Sequence, residues 1–169
     1  MSGDTKSERK QRVLFVCLGN ICRSPAAEGV FQKLLADRHL SDKIEVDSAG
    51  TSNYHTGKMA DPRMRAAAAK RGYDLTSRAR SFERNDLKLF DLIVAMDREN
   101  YRQIHGFTSD DATNVCLLSD FLGPPWPKDV PDPYFGEADG FEYVLDMLEA
   151  ACPSILARLT ESNDFSEGS

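Results

Sequence analysis

Short apolar runs rich in β-branched residues alternate with longer helical runs along most of the chain. The apolar runs cover residues 13–16, 44–48, 92–95 and 115–118, and the helical runs cover residues 25–40, 62–71, 98–105 and 141–159. Apolar runs this short are typical of parallel strands that helices cover on both faces of a sheet. The pattern predicts an α/β fold, a single small doubly wound domain with a four-stranded parallel sheet and helices on both faces.

Several local signals support this arrangement, for which we expect a flavodoxin-like strand order. Ser24 and Asp61 each precede a proline, as capping residues at the start of a helix do, and Gly72 is expected to end the second helix. In the last helical run, apolar residues recur at spacings of three and four and predict one buried stripe. Its members are Phe141, Val144, Leu145, Leu148, Cys152, Ile155 and Leu159.

The length and charge of the chain limit its organisation and its partners. With 169 residues, 41% of them apolar, the chain is long enough for one core and short for two. We expect one folded domain at residues 12–160 between disordered polar tails at residues 1–11 and 161–169, which have few apolar residues. The formal net charge is 21 − 27 = −6, which predicts no nucleic-acid partner.

The start of the sequence and its cysteines predict a cytoplasmic protein. Residues 1–11 lack the apolar core of a signal peptide, and no apolar run approaches the roughly 18 residues of a membrane span, so no membrane contact is expected. The four cysteines are too scattered for a secreted disulfide framework or a zinc site. We expect a monomer with free thiols in a reducing compartment.

The segment at residues 17–24, Cys-Leu-Gly-Asn-Ile-Cys-Arg-Ser, follows the first predicted strand and precedes the first predicted helix. The first amides of a helix lack partners within the helix and lie at the positive end of its dipole, so this position attracts anions. A helix N-terminus and a nearby cation such as Arg23 also favour the reactive thiolate over the thiol. The segment therefore predicts that Cys17 is a nucleophile facing a bound phosphate.

The other residues of this segment suit the same anion. Gly19 and Asn20 tolerate a positive φ, which a tightly curled loop requires. The guanidinium of Arg23 matches two phosphate oxygens, whereas Ser24 has two compatible roles, capping the helix or donating to the Cys17 thiolate. The residues whose amides are expected to converge on the anion are Leu18, Gly19, Asn20, Ile21, Cys22 and Arg23.

A proton donor for the leaving group is expected in a loop after the fourth strand. Four of the eight residues before Asp132 are prolines, and Pro133 follows it, so Asp132 lies in a stiff segment. The alternative is an ordinary Asp-Pro turn with no catalytic role. Tyr134 and Phe135 next to it either form aromatic walls for a flat substrate ring or pack elsewhere.

Other phosphate chemistries lack their motifs. Neither the G-x-x-x-x-G-K-[ST] loop of nucleotide hydrolases nor the G-x-G-x-x-G loop of dinucleotide folds occurs. A metal-dependent phosphatase requires clustered His and carboxylate ligands, whereas His39, His55 and His105 are dispersed and are interpreted as surface or packing residues. We expect no metal and no other cofactor.

Four motifs together resemble the low-molecular-weight protein tyrosine phosphatases, and the resemblance runs over residues 13–159. They are residues 16–25, Val-Cys-Leu-Gly-Asn-Ile-Cys-Arg-Ser-Pro; residues 47–51, Asp-Ser-Ala-Gly-Thr; residues 95–97, Ala-Met-Asp; and residues 132–135, Asp-Pro-Tyr-Phe. The resemblance implies hydrolysis of phosphotyrosine in proteins and of small aryl phosphates, an acid phosphatase activity. Cys17 would form a phosphocysteine intermediate, Arg23 and the loop amides would bind the phosphoryl oxygens, and Asp132 would protonate the leaving phenolate.

The resemblance also implies supporting roles. Asn20 would hold the loop through a polar network with Ser48, and Ser24 would stabilise the departing thiolate. Cys22 would trap an oxidised Cys17 as a reversible disulfide. Tyr54 lies where some members of the family place a tryptophan or another aromatic residue at the rim of the pocket.

The sequence departs from the family at two positions and leaves three alternatives open. Ser77 stands where many members have a histidine, and Phe135 replaces the second tyrosine of the Asp-Pro-Tyr-Tyr motif.

An arsenate reductase on the same fold would need further cysteines near residues 80–95, where there are none. A protein arginine phosphatase would have a threonine in place of Ile21. A phosphopeptide-binding module without catalysis would not need both Cys17 and Asp132.

Overall fold

The computed structural model, which describes residues 10–108, 112–137 and 139–163, contains the predicted sheet. Its strands are β1 (Gln11–Cys17), β2 (Ile44–Gly50), β3 (Leu92–Ala95) and β4 (Val115–Leu117). All three pairings are parallel, and the strand order is β2-β1-β3-β4. The predicted four-stranded parallel sheet and its flavodoxin-like order are confirmed.

Helices follow the strands as the alternating pattern predicts. They are α1 (Arg23–Asp37), α2 (Pro62–Ala69), the short α3 (Asp86–Leu89), α4 (Arg98–His105) and α5 (Asp139–Asn163), with a 3₁₀ turn at Leu118–Phe121. None of the described helices is long and apolar enough to cross a membrane.

The sheet is buried on both faces because successive side chains of a strand point in opposite directions. On β1, Val13 and Phe15 pack into the cluster with α1, α2 and α5, whereas Leu14 and Val16 pack into a second cluster with α4. All four side chains are fully buried. This explains why β1 has an unbroken apolar run instead of alternating apolar and polar residues.

The predicted ends of α2 and the buried face of α5 are confirmed. The side chain of Asp61 accepts a hydrogen bond from the Arg63 amide at 2.8 Å, with Pro62 at the first helical position. Gly72 has a φ of +88°, and its amide donates to the Ala69 carbonyl, as expected after a helix. All seven residues of the predicted stripe on α5 are buried, Cys152 among them.

The structure places the ends of the folded region slightly outside the expected boundaries. β1 begins at Gln11, which the sequence analysis assigns to the first tail, because the Gln11 amide already donates to the Lys43 carbonyl beside β2. α5 continues to Asn163, three residues beyond the expected end at residue 160. The remainder of the two predicted tails, residues 1–9 and 164–169, lies outside the described residues.

Candidate active site

The candidate pocket lies at the carboxyl end of β1, where the chain passes into α1. Cys17 ends the strand, Arg23 begins the helix, and residues 18–22 between them form the anion loop. A cavity of about 540 Å³ opens at this point. Besides Cys17, Arg23 and most of the anion loop, its lining consists of Ser52, Tyr54, His55, Asp132, Tyr134 and Phe135. The structure thus brings together the predicted nucleophile, the predicted anion ligands and the predicted acid.

The sulfur of Cys17 is surrounded by hydrogen-bond donors. The Asn20 amide donates to Cys17 Sγ at 3.3 Å, and Ser24 Oγ lies 3.0 Å from the same atom. Asn20 Nδ2 donates to Ser24 Oγ at 2.7 Å, so the Ser24 proton is free to go either to the sulfur at 3.0 Å or to the Ala49 carbonyl at 3.4 Å. Both contacts stabilise a thiolate, which accepts hydrogen bonds and has none to donate.

The prediction that Ser24 caps α1 is wrong. The helix begins at Arg23, two residues before the predicted start at Pro25, and no side chain accepts a capping hydrogen bond at Cys22, which precedes it. Ser24 Oγ instead lies 3.0 Å from Cys17 Sγ, so its second predicted role is the one that the structure supports. The capping rule fails here because the Ser24 side chain contacts Cys17 at the end of β1 and not the first amides of the helix.

Asn20 holds the anion loop without a direct hydrogen bond to Ser48. Its φ of 58° is positive, as the tight curl requires, and its side-chain oxygen accepts from the Arg80 amide at 3.0 Å. Ser48 Oγ donates to Glu28 Oε1 at 2.6 Å. Within the described residues no hydrogen bond joins Asn20 directly to Ser48. The two are connected through Arg80, which contacts Asp47, and the Asp47 carboxylate accepts from the Ser48 amide.

Arg23 is buried and held from behind the pocket. Its Nη1 donates to Asp97 Oδ2 at 2.7 Å and to the Val130 carbonyl at 3.0 Å, while Nη2 lies 3.7 Å from Asp132 Oδ2. Burial lowers the pKa of Arg23, but the Cys17 thiolate and the two carboxylates outweigh that effect and raise it above its ordinary value. The guanidinium is therefore a permanent cation beside the thiol.

Asp97 contacts Arg23 in the site, a contact that the sequence did not predict. Its Oδ1 accepts from the Asn100 amide at 2.7 Å and caps α4, while its Oδ2 holds Arg23. The motif at residues 95–97 contained it, but a helix cap alone explains an aspartate there. The signal that could have found it is the need of a buried arginine for a carboxylate.

Asp132 lines the pocket with a half-exposed side chain. Its Oδ1 accepts from the Tyr134 amide at 3.1 Å, so the residue forms the predicted Asp-Pro turn as well as lining the pocket. The amide of Val130 donates to the Met96 carbonyl at 3.0 Å and ties this segment to the end of β3. We call residues 129–134 the acid loop.

Aromatic side chains form the walls of the pocket, and His55 is one of them. Its ring contacts Tyr54 edge to face, with centroids 4.8 Å apart, and lies 6.0 Å from the ring of Tyr134. The interpretation of His55 as a surface or packing residue did not include its place in the lining of the pocket, where its ring packs against Tyr54. Its position next to Tyr54, which the sequence places at the rim, is the signal that would have found it.

A buried acid lies behind the anion loop. Glu28 Oε1 accepts hydrogen bonds from Ser48 Oγ at 2.6 Å and from Ser77 Oγ at 2.9 Å. Burial raises the pKa of Glu28 above its ordinary value, and the two hydroxyls only partly offset this effect. Ser77, which stands where the family has a histidine, thus acts as a hydrogen-bond donor to a buried carboxyl group.

The second cysteine of the loop is a buried thiol. Cys22 lines the pocket with Cys17, and burial, followed by the nearby charge of Asp61, raises its pKa far above the ordinary value for a thiol. Cys22 is therefore protonated at neutral pH.

Among the described residues, no cluster of three or more His, Cys, Asp or Glu side chains could hold a metal ion.

Residues 12–164 match the family model for low molecular weight phosphotyrosine protein phosphatases. The chain belongs to this family. A low molecular weight protein-tyrosine-phosphatase from Streptomyces coelicolor is 45% identical over 154 residues, 89% of this chain and 94% of that protein. The low molecular weight phosphotyrosine protein phosphatase from Homo sapiens is 37% identical over 149 residues, 86% of this chain and 94% of that protein.

Solved structures agree with this family assignment. A crystal structure of a protein tyrosine phosphatase from Entamoeba histolytica superposes with a TM-score of 0.87 at 43% identity, covering 90% of this chain and 99% of that one. Low-molecular-weight phosphatases are hydrolases with a cysteine nucleophile, and tyrosine-phosphorylated proteins are their substrates. The family match favours this activity over the arsenate reductase, arginine phosphatase and phosphopeptide-binding alternatives.

Proposed function

We propose that Cys17 is the nucleophile of a two-step phosphatase reaction. In the first step the thiolate attacks phosphorus, the S–P bond forms and the bond from phosphorus to the phenolic oxygen breaks. In the second step a water oxygen attacks phosphorus, the S–P bond breaks and inorganic phosphate leaves. The observation that carries the proposal is the pair of donors on Cys17 Sγ, the Asn20 amide and Ser24 Oγ, at the floor of the pocket.

Asp132 supplies and takes back the proton. In the first step it protonates the phenolate oxygen as the P–O bond breaks, and in the second it accepts a proton from the attacking water, which restores the acid. Asp132 lines the same pocket as Cys17 and has a half-exposed side chain, which suits a group that must reach the leaving oxygen. Ser24 stabilises the Cys17 thiolate each time the sulfur is free.

Arg23 and the anion loop bind the phosphoryl group. The charge that spreads over its oxygens in the transition state is stabilised by the loop amides and by the guanidinium, which Asp97 holds in place. Tyr54, Tyr134 and Phe135 then provide walls for the aromatic ring of phosphotyrosine. Tyr54 is 80% exposed and Phe135 is 93% exposed, so both remain available to a protein substrate around the phosphotyrosine.

Cys22 protects the nucleophile from irreversible oxidation. Peroxide converts the Cys17 thiolate into a sulfenic acid. Cys22 then gives up its proton and its sulfur attacks the oxidised sulfur, so that a disulfide forms and water leaves. A dithiol reduces the disulfide and restores both thiols. Both cysteines are free in the structure and line the same pocket, which supports this role.

The protein works as a cytoplasmic monomer. Residues of one chain supply the nucleophile, the anion ligands and the acid, so catalysis needs no second copy. All four cysteines are free, which suits a reducing compartment. Its macromolecular partners are tyrosine-phosphorylated proteins and not nucleic acids, in keeping with the net charge of −6.

Hydrolysis of 4-nitrophenyl phosphate in the presence of a metal chelator tests the proposal. We expect turnover by the wild-type protein and a radiolabelled phosphoenzyme after acid quench, with no turnover and no phosphoenzyme for Cys17→Ser. Cys22→Ser serves as the matched control, because it should retain turnover and lose only recovery from peroxide. Turnover by Cys17→Ser at the wild-type rate would show that another residue attacks phosphorus.

A further inference from the structure

The acid loop is fastened to α4 by an arginine clamp. Arg98 Nη2 lies 2.8 Å from Asp129 Oδ2, and Arg98 Nε lies 3.1 Å from Asp129 Oδ1. The Arg98 amide also donates to Asp129 Oδ1 at 2.9 Å. The two guanidinium bonds fix the orientation of the Asp129 carboxylate, because the planar fork of arginine matches the two carboxylate oxygens. The amide bond adds to them in fixing its position.

A second arginine holds the other end of the same loop. Arg63 Nη2 donates to the Tyr134 carbonyl at 3.0 Å, and its guanidinium carbon lies 5.4 Å from the centre of the Tyr134 ring. Arg63 is itself fixed by Asp61, with Nη2 and Oδ2 2.8 Å apart. The acid loop is therefore held by a cation at each end, and Asp132 lies between them.

These anchors add to the backbone contacts of Val130, whose amide donates to the Met96 carbonyl and whose carbonyl accepts from Arg23 Nη1. They matter for Asp132 because the contacts of its own side chain are weak. Its side chain is 41% exposed, and its distance of 3.7 Å from Arg23 Nη2 is too long for a good hydrogen bond. Its remaining partner, the Tyr134 amide, belongs to the loop itself. Nothing in these two contacts fixes the carboxyl group relative to Cys17, although a general acid must lie within hydrogen-bond reach of the leaving oxygen.

We propose that Arg98, acting through Asp129, is a positioning residue for the acid Asp132, with Arg63 as the anchor at the opposite end of the acid loop. This inference rests on the proposed role of Asp132. Arg98 does not line the candidate pocket; it lies in a groove on the far side of the acid loop, which Asp132 also lines. Its effect on the reaction therefore passes through the loop and not through contact with the phosphate.

The test is the dependence of kcat/KM on the leaving group. Phenolate is a poor leaving group and needs the proton of Asp132, whereas 4-nitrophenolate leaves readily without it. We expect Arg98→Ala to lower kcat/KM for phenyl phosphate about 5-fold and for 4-nitrophenyl phosphate less than about 2-fold, the size of a lost ion pair at a surface. Arg98→Lys keeps the charge without the fork and should fall between wild type and Arg98→Ala.

Arg102→Ala is the matched control. Arg102 lies one turn further along α4, is exposed and pairs with Glu99 and not with the acid loop. It should leave the ratio of the two kcat/KM values unchanged. Asp129→Asn provides a second route to the same result, and the double variant Arg98→Ala with Asp129→Asn should lose no more than either single variant, since both break one contact.

Asp132→Asn, measured in parallel, separates the inference from the proposed function. A larger loss for phenyl phosphate in Asp132→Asn, with none in Arg98→Ala or Asp129→Asn, would overturn the role of Arg98 alone. Equal losses on both substrates in the Arg98 and Asp129 variants would also overturn it, because they would indicate damage to the whole site. If Asp132→Asn itself shows no dependence on the leaving group, the proposed role of Asp132 fails.

Discussion

Gly50 lies against the carbonyl of Leu18 so closely that no side chain fits between them. A Cβ on Gly50 would lie 2.8 Å from the Leu18 oxygen and 3.1 Å from the amide nitrogen of Asn20. The strand cannot retreat, because the Gly50 amide donates to the Arg80 carbonyl at 2.8 Å and its oxygen accepts from the Phe82 amide at 2.6 Å. The end of β2 therefore fixes the anion loop from behind.

Gly50→Ala should displace the Asn20 amide from the Cys17 sulfur. Overpacking of this kind strains a structure by about 1–3 kcal/mol, so we expect kcat/KM for 4-nitrophenyl phosphate to fall about 10- to 100-fold. Alkylation of Cys17 by iodoacetamide at neutral pH should slow as well, because the thiolate loses a donor. Gly123→Ala is the control, since a Cβ there meets nothing within 4 Å. Unchanged alkylation in Gly50→Ala would contradict the prediction.

Ser24→Ala should slow the second step of catalysis. The variant removes the hydroxyl that lies 3.0 Å from Cys17 Sγ, and a hydrogen bond to a charged group contributes about 1.5–3 kcal/mol. We expect kcat to fall about 10- to 100-fold and the phosphoenzyme to accumulate, because the thiolate is then a poorer leaving group. Rapid-quench measurement of the phosphoenzyme checks this, with the exposed Ser41→Ala as control. A variant with wild-type kcat and no accumulation would exclude a role for Ser24 in the second step.

The fold was predictable where it depends on local pattern. The runs at residues 13–16 and 92–95 identified β1 and β3, because a strand buried on both faces must be apolar throughout. The anion loop was also predictable from local sequence. The proposed nucleophile Cys17 and the proposed anion ligands up to Arg23 lie within seven consecutive residues. Asp132 was a candidate because its prolines mark a stiff loop, and the structure places it in the lining of the same pocket as Cys17.

The rest depends on contacts between distant parts of the chain. Arg23 and Asp97 are separated by 74 residues, and Ser77 and Glu28 by 49. Sequence periodicity tells which face of an element is buried, but not which polar side chain meets which across the sheet. For this reason the sequence did not predict that Arg80 lies between Asn20 and Ser48, nor that His55 lines the pocket beside Tyr54.

Glu28 should make the protein less stable as the pH rises. The folded state raises the pKa of Glu28 above its ordinary value of 4.5, so the unfolded chain releases this proton at lower pH than the folded protein does. In the window above pH 4.5 the folded state binds more protons, and stability falls with rising pH. Glu28→Gln has no such proton, and its amide oxygen can still accept from Ser48 and Ser77.

Thermal unfolding of the two proteins over a pH series checks this. The melting temperature of Glu28→Gln minus that of wild type should increase as the pH rises from about 4.5 towards neutrality. Other groups titrate alike in both proteins, so the difference isolates Glu28. A difference that stays constant or decreases with pH would contradict the prediction.

Asp97→Asn should weaken phosphate binding through Arg23. The asparagine oxygen can still cap α4 at the Asn100 amide, but the charge that faces Arg23 Nη1 at 2.7 Å is lost. Hydrogen bonds between charged groups are roughly twice as strong as neutral ones, so we expect about a 5-fold rise in the inhibition constant of inorganic phosphate. Glu99→Gln, which changes a neighbouring acid that pairs with Arg102, should leave that constant unchanged. If Asp97→Asn binds phosphate as tightly as wild type, the Val130 carbonyl and the helix suffice to hold Arg23.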